Sequence, residues 1–139
     1  MMQKIARIIS FIFLVISFSC DDQSFFVQCS DCTSEEPVSA ELYADLDPVY
    51  FYESLVQIWE GNLEDSILVG SYPIYNKTFT QEVTINKKYT ITATYHVSND
   101  TYIAVDSATP RVRYEKSQCE DPCFFLYDKK CDLRLKYTH

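Results

Sequence analysis

Six cysteines carry the most chemistry this chain offers: Cys20, Cys29, Cys32, Cys119, Cys123 and Cys131. Cys29 and Cys32 stand three apart, Cys119 and Cys123 four apart. Two close pairs of this kind fit three chemistries. They can form disulfides, supply four thiolates to a tetrahedral zinc ion, or act as a redox pair. Zinc needs ionised thiolates. Glu120, Asp121 and Pro122 flank the second pair, and no basic residue beside it favours the thiolate. A redox Cys-x2-Cys pair belongs to a thioredoxin-like βαβ unit, and no such pattern surrounds Cys29. Disulfides are the reading we adopt. The spacing favours Cys119–Cys123, or a bridge that carries Cys29 or Cys32 to the Cys119–Cys123 loop. Cys131 is left over, at an inward position of a strand.

Other reactive groups do not assemble into a motif. Of the two histidines, His96 sits on the polar side of a strand and His139 is the last residue. Neither G-x-S-x-G nor H-E-x-x-H occurs. The carboxylates Glu60, Glu64, Asp65, Asp100, Asp106, Glu120, Asp121 and Asp128 read as a solvated acidic surface. Asn62-Leu63-Glu64-Asp65 has oxygen ligands suited to Ca²⁺ but not the EF-hand spacing. We therefore expect no catalytic residue, no metal and no cofactor.

The aromatic residues are plentiful. Trp59 is the one to single out, because Val56 and Ile58 share the opposite face of its strand. If those two point inward, Trp59 points out, where a Trp marks an interaction surface. Tyr43, Tyr50, Tyr52, Tyr72 and Tyr75 could join it in a platform or pack on the core.

These groups must be positioned by short strands. Val38, Ala40, Leu42, Ala44 and Leu46 alternate with polar residues, the period-2 signature of a strand with one buried face. Leu55 to Glu60, Ser66 to Tyr72 and Thr78 to Ile85 follow. Lys88 to Val97 is the clearest, with Tyr89, Ile91, Ala93, Tyr95 and Val97 on one side and Thr90, Thr92, Thr94 and His96 on the other. Thr101 to Asp106, Val112 to Glu115, Cys123 to Tyr127 and Cys131 to Tyr137 complete the set. With only two glycines, turns must lean on Asn and Asp, which tolerate left-handed backbone. The expected fold is all-β, a single antiparallel β-sandwich of seven to eight strands.

The N-terminus reads as an export signal. Lys4 and Arg7 precede an apolar run from Ile8 to Phe18, which as a helix rises about 16 Å, too short to span a bilayer of about 30 Å. Without residues 1–19 the chain holds ten Lys and Arg against twenty Asp and Glu, a net −10. Such a charge repels nucleic acid and anionic headgroups. Exported thiols meet oxidising conditions, which supports the disulfide reading.

Ser17-Phe18-Ser19-Cys20 resembles a lipobox, with Ser19 as the small residue before the cysteine and Ser17 where Leu is usual. The resemblance implies lipidation at Cys20. Val56-Gln57-Ile58-Trp59-Glu60-Gly61-Asn62, Tyr89-Thr90-Ile91-Thr92-Ala93-Thr94-Tyr95 and Asp132-Leu133-Arg134-Leu135-Lys136-Tyr137 resemble stretches of small uncharacterised lipoproteins of Bacteroidetes. That likeness implies an immunoglobulin-like or prealbumin-like sandwich and a place on the outer membrane or cell surface, and it implies no activity. Asp21-Asp22 resembles the acidic surface-export signal of that phylum. Asp65-Ser66-Ile67 and Asp106-Ser107-Ala108 resemble its O-glycosylation signals.

The expected organisation is a lipoprotein signal peptide at 1–19, a lipidated tether at 20–37 and a β-sandwich domain at 38–139. The expected role is a non-catalytic surface module that binds a protein or glycan partner and meets the membrane through its N-terminal lipid. A structural accessory subunit of an outer-membrane assembly is the alternative. A small enzyme or metal-dependent module has the least support.

Overall fold

Alternating burial defines the first strand in a computed structural model, which describes residues 27–47, 55–65, 67–73 and 75–135. In β1 (Ser39–Asp45) Ala40, Leu42 and Ala44 are buried, as is Leu46 just beyond it. Val38 does not join them: it precedes the strand and is 79% exposed. Then come β2 (Leu55–Glu60), β3 (Ile67–Pro73), β4 (Thr78–Thr84), β5 (Tyr89–Val97), β6 (Asp100–Ala108), β7 (Arg111–Tyr114), β8 (Phe124–Tyr127) and β9 (Lys130–Asp132). The described strands number nine, one more than the upper sequence expectation. Residues 48–54, where Asp47-Pro48 could also open a helix, lie outside the described residues.

Three sheets result. One has the order β4-β1-β9, the second β3-β2-β5-β6, and the third is the β7-β8 hairpin. Every pair is antiparallel except β1 with β9, which run parallel. The architecture is the expected all-β sandwich built of antiparallel pairs, with this one parallel addition. β9 runs beside β1 in the same direction, pairing with Tyr43–Asp45. It is also shorter than the alternation to Tyr137 suggests, ending at Asp132. The backbone contact continues for one residue, as the Leu133 N–H donates to the Asp45 carbonyl at 2.9 Å.

The two larger sheets share one core. Leu42, Ala44 and Val83 come from the first, and Val56, Ile58, Tyr89, Ile91, Ala93 and Tyr95 from the second. Cys131 and Leu133 close it. Fully burying an apolar side chain of this size contributes roughly 1.5–3 kcal/mol, so these inner faces supply most of the driving force. Gly70 makes room at the edge: a Cβ there would lie 2.6 Å from the Tyr72 ring, which packs on Phe79 at 5.3 Å between centroids.

Turns use the residue types the sequence provides. Asn86, Ser98 and Asp128 have positive φ, at 62°, 57° and 52°, beside Gly61 at 84°. Asn86 and Asp128 are short polar residues that adopt this region with least strain. The Asp121–Pro122 peptide bond is cis.

Tyr95 crosses the sandwich. Its hydroxyl donates to the Leu133 carbonyl at 3.0 Å and accepts from the Asp47 N–H at 3.2 Å. Burial pushes its ionisation above the usual tyrosine value, so it remains a neutral donor. Tyr95→Phe keeps the ring and removes both hydrogen bonds. It should lower stability by about 1–2 kcal/mol in urea titrations, and an unchanged midpoint would show that the hydroxyl carries no such weight.

Candidate functional site

The outer faces of the two larger sheets differ in charge. On β1 and β4 the outward residues include Glu41 opposite Glu82, and Asp45 with its ion pair to Lys130 at 2.8 Å. Tyr43 on this face hydrogen-bonds to Glu41, which raises its ionisation, and lies under Lys129 at 5.4 Å.

The four-stranded sheet presents the opposite character. Directly paired residues share a face, so its outer side reads in rows. Leu68, Trp59, Thr90 and Ser107 form one row. Ser71, Gln57, Thr92 and Val105 form the next, and Pro73, Leu55, Thr94 and Ile103 the third. None of these twelve side chains is charged. Leu68, Val105 and Ile103 are 47%, 52% and 63% exposed. At a strand spacing of ~4.8 Å and a rise of ~3.4 Å per residue, the three rows cover on the order of 400 Å².

Trp59 points to this side, as the burial of Val56 and Ile58 requires, but it is half-buried and not free-standing. It lies where β3 carries one extra residue, Val69, so that the β2–β3 register shifts between Ile58 and Trp59. Its indole nitrogen is buried and meets no hydrogen-bond partner among the described residues. The same holds for the Thr92 hydroxyl. Thr92 is only 6% exposed although it stands on the polar side of the alternation. Two adjacent strands thus carry buried polar groups without a partner among the described residues beneath one uncharged face, which is rare in proteins.

The other aromatics do not form a platform with Trp59. Tyr72 packs inward and Tyr43 lies on the other sheet, while Tyr75 is exposed in a loop. Tyr50 and Tyr52 lie outside the described residues. The face is instead made by aliphatic and uncharged polar side chains around Trp59, and the sequence reading singled out Trp59 alone.

The cysteines form two bridges. Cys29 pairs with Cys119 and Cys32 with Cys123, with Cα separations of 5.5 and 4.8 Å. The expected Cys119–Cys123 bridge is therefore corrected: each partner is taken by a tether cysteine, while the expected link from tether to loop is present twice. A backbone bridge supports it, the Thr33 and Phe124 N–H groups each donating to the other's carbonyl at 2.9 and 3.0 Å. The sulfurs of Cys32, Cys119 and Cys123 lie within 4.8 Å of one another. That resembles a metal cluster in distance, and its cause is two disulfides side by side. At the base of the loop Glu115 is buried. The Ser117 hydroxyl and N–H donate to its carboxylate at 2.7 and 2.8 Å and hold it below the usual carboxylate range.

The remaining candidates are engaged locally. Asp65 accepts from the Asn62 N–H at 2.9 Å and Lys88 donates to the Asn62 side chain at 2.7 Å, so the expected oxygen cluster is spent on its own turn. His96 meets Thr101 at 3.1 Å. Ser107 is exposed on β6, whereas Ser66, Cys20 and His139 lie outside the described residues.

Comparison of the chain with family models, curated proteins and solved structures gives no match. The site is thus defined by its own geometry.

Among the described residues Cys131 is the free thiol, buried in the core as its inward strand position indicated. Burial first, then the charges of Asp106 and Asp128, pushes it from 9.0 up to about 12. The folded protein should leave Cys131 unreactive to thiol reagents at pH 8 and release it for labelling on unfolding, as read by peptide mapping. Because the unfolded thiol ionises first, this group lowers stability as pH climbs from about 9 towards 12. Rapid native labelling at pH 8 would show the site to be open.

Proposed function

We propose that this chain is an exported, lipid-anchored, non-catalytic module that binds a partner protein through the outer face of its four-stranded sheet. The observation that carries this reading is the uncharged face around Trp59 in a chain whose mature part carries a net −10. Charged residues are depleted at the centre of protein contacts, and exposed apolar patches of several hundred Å² are commonly functional. A face on the order of 400 Å² is small against the ~800 Å² per partner of a standard interface. The edge of the sheet can extend it. β6 ends the order β3-β2-β5-β6, and its Asp100–Val105 stretch holds neither Lys nor Pro, the residues that usually block strand addition. An extended segment of a partner can pair there and continue across Ile103 and Val105.

Lys4, Arg7, the apolar run and Cys20 support export and lipid anchoring at the outer membrane or cell surface. Two disulfides are the chemistry expected of an oxidising compartment. An accessory subunit of an outer-membrane assembly is the alternative, distinguished by whether one partner accompanies the protein in fixed ratio.

Full-length protein purified from its membrane in mild detergent should bring down a partner that Trp59→Ala loses. The expected weakening is at least tenfold, in the range of an interface hot spot of about 2 kcal/mol, with the thermal midpoint little changed. Val105→Asp should act in the same direction by placing a charge on the face. Equal capture by both variants would overturn this use of the face, and capture of a glycan in place of a protein would change the ligand class. Cys20→Ala should move the protein out of the membrane fraction; retention there would remove the lipid anchor from the proposal.

A further inference from the structure

We propose that the paired disulfides form an internal exchange relay, in which opening the outer bridge transfers Cys119 onto Cys123 and frees the whole N-terminal segment at once. Four sulfurs placed side by side support this relay, which is separate from the binding role. Cys29 is exposed and Cys119 half-buried, so Cys29–Cys119 is the bridge an external thiol reaches first. Cys123 is fully buried and Cys32 is half-buried. Once released, the Cys119 sulfur already stands within 4.8 Å of both sulfurs of the inner bridge.

The steps balance. An external dithiol gives two electrons and two protons to Cys29–Cys119, becomes a disulfide itself, and leaves two thiols. Cys119, deprotonated, attacks the Cys123 sulfur. The Cys119–Cys123 bond forms, the Cys32–Cys123 bond breaks, and Cys32 departs as a thiolate that takes up a proton. Two electrons have entered, one disulfide remains, and both tether cysteines are free. Attack at Cys123 is favoured over attack at Cys32 because the leaving sulfur matters. Cys32 leaves towards solvent, whereas Cys123 would have to leave as a thiolate in a buried site that raises its basicity. Hydrogen bonds alone then hold this region: the Thr33–Phe124 backbone pair, the Thr33 hydroxyl donating to the Phe124 carbonyl, and the Val27 N–H donating to the Gln118 side chain.

The consequence for distance rests on the lipid reading of Cys20. Nine residues separate Cys20 from Cys29, and nineteen separate it from Ser39, where β1 begins. At ~3.4 Å per extended residue the reach grows from about 30 Å to about 65 Å. The relay itself does not depend on lipidation, and its test does not use it.

Full-length protein would be treated at pH 8 with one equivalent of dithiothreitol, trapped rapidly with N-ethylmaleimide and mapped by mass spectrometry. The expected singly reduced species carries Cys119–Cys123 with Cys29 and Cys32 alkylated, at least tenfold over any other. A dominant species that keeps Cys32–Cys123, or one that joins Cys32 to Cys119, overturns the relay. Cys29→Ser provides a second reading without reductant. Its unpaired Cys119 should already be bridged to Cys123, leaving Cys32 to react with N-ethylmaleimide. Retention of Cys32–Cys123 in that variant also overturns it.

Discussion

The side chain of Tyr95 begins on one sheet and ends on the backbone of the other. Its ring fills the space between inner faces, and its hydroxyl meets Leu133 beyond β9 and Asp47 beyond β1. A buried hydroxyl without partners costs roughly as much as the ring's burial supplies, so the two sheets can approach only in the register that offers those two groups. The two groups lie just past the ends of β1 and β9, the strands that pair in parallel, so the hydroxyl ties both strand ends to β5. With β9 in place Cys131 and Leu133 enter the core, and β8 and the cysteine loop are fixed a few residues upstream.

Local chemistry made most strands legible. β5 could be read because Tyr89, Ile91, Ala93 and Tyr95 alternate with threonines, and β2 because Val56 and Ile58 flank Gln57. Positions of Asn86 and Asp128 marked turns, since few residues tolerate positive φ. The direction of β9 was not legible, because alternation specifies a face but carries no information on the neighbour or its orientation. Burial of Thr92 was hidden for a related reason: a polar residue flanked across two strands by Gln57 and Val105 is covered by neighbours distant in sequence. The disulfide pairing also depends on approach in space. Cys119 and Cys123 are near in sequence, yet Thr33 bridging Phe124 lays the tether alongside and presents a closer partner to each.

Trp59 was readable as outward-facing from the parity of its strand alone. Its surroundings were not, because the three rows combine β2, β3, β5 and β6, separated by up to about fifty residues. The charge contrast between the sheets arises in the same way. Glu41 and Glu82 come together across β1 and β4, which puts acidic residues on the outer face of that sheet, while the three rows of the four-stranded sheet carry none. A molecule approaching the neutral side would meet less repulsion than the chain's net charge of −8 imposes elsewhere.

The twin bridges also determine how the domain bears load. The loops they close overlap almost completely, each linking residues about ninety apart, so the second adds little constraint on the unfolded chain beyond the first. Its effect is mechanical. Tension on the chain ahead of Cys29 passes through covalent sulfur into the loop between β7 and β8, and the stretch from Thr33 to Val38 stays slack. β1, held between β4 and β9 by hydrogen bonds that yield one at a time when peeled, is then shielded from the pull, and the sandwich is suspended from its corner without being unzipped from its first strand.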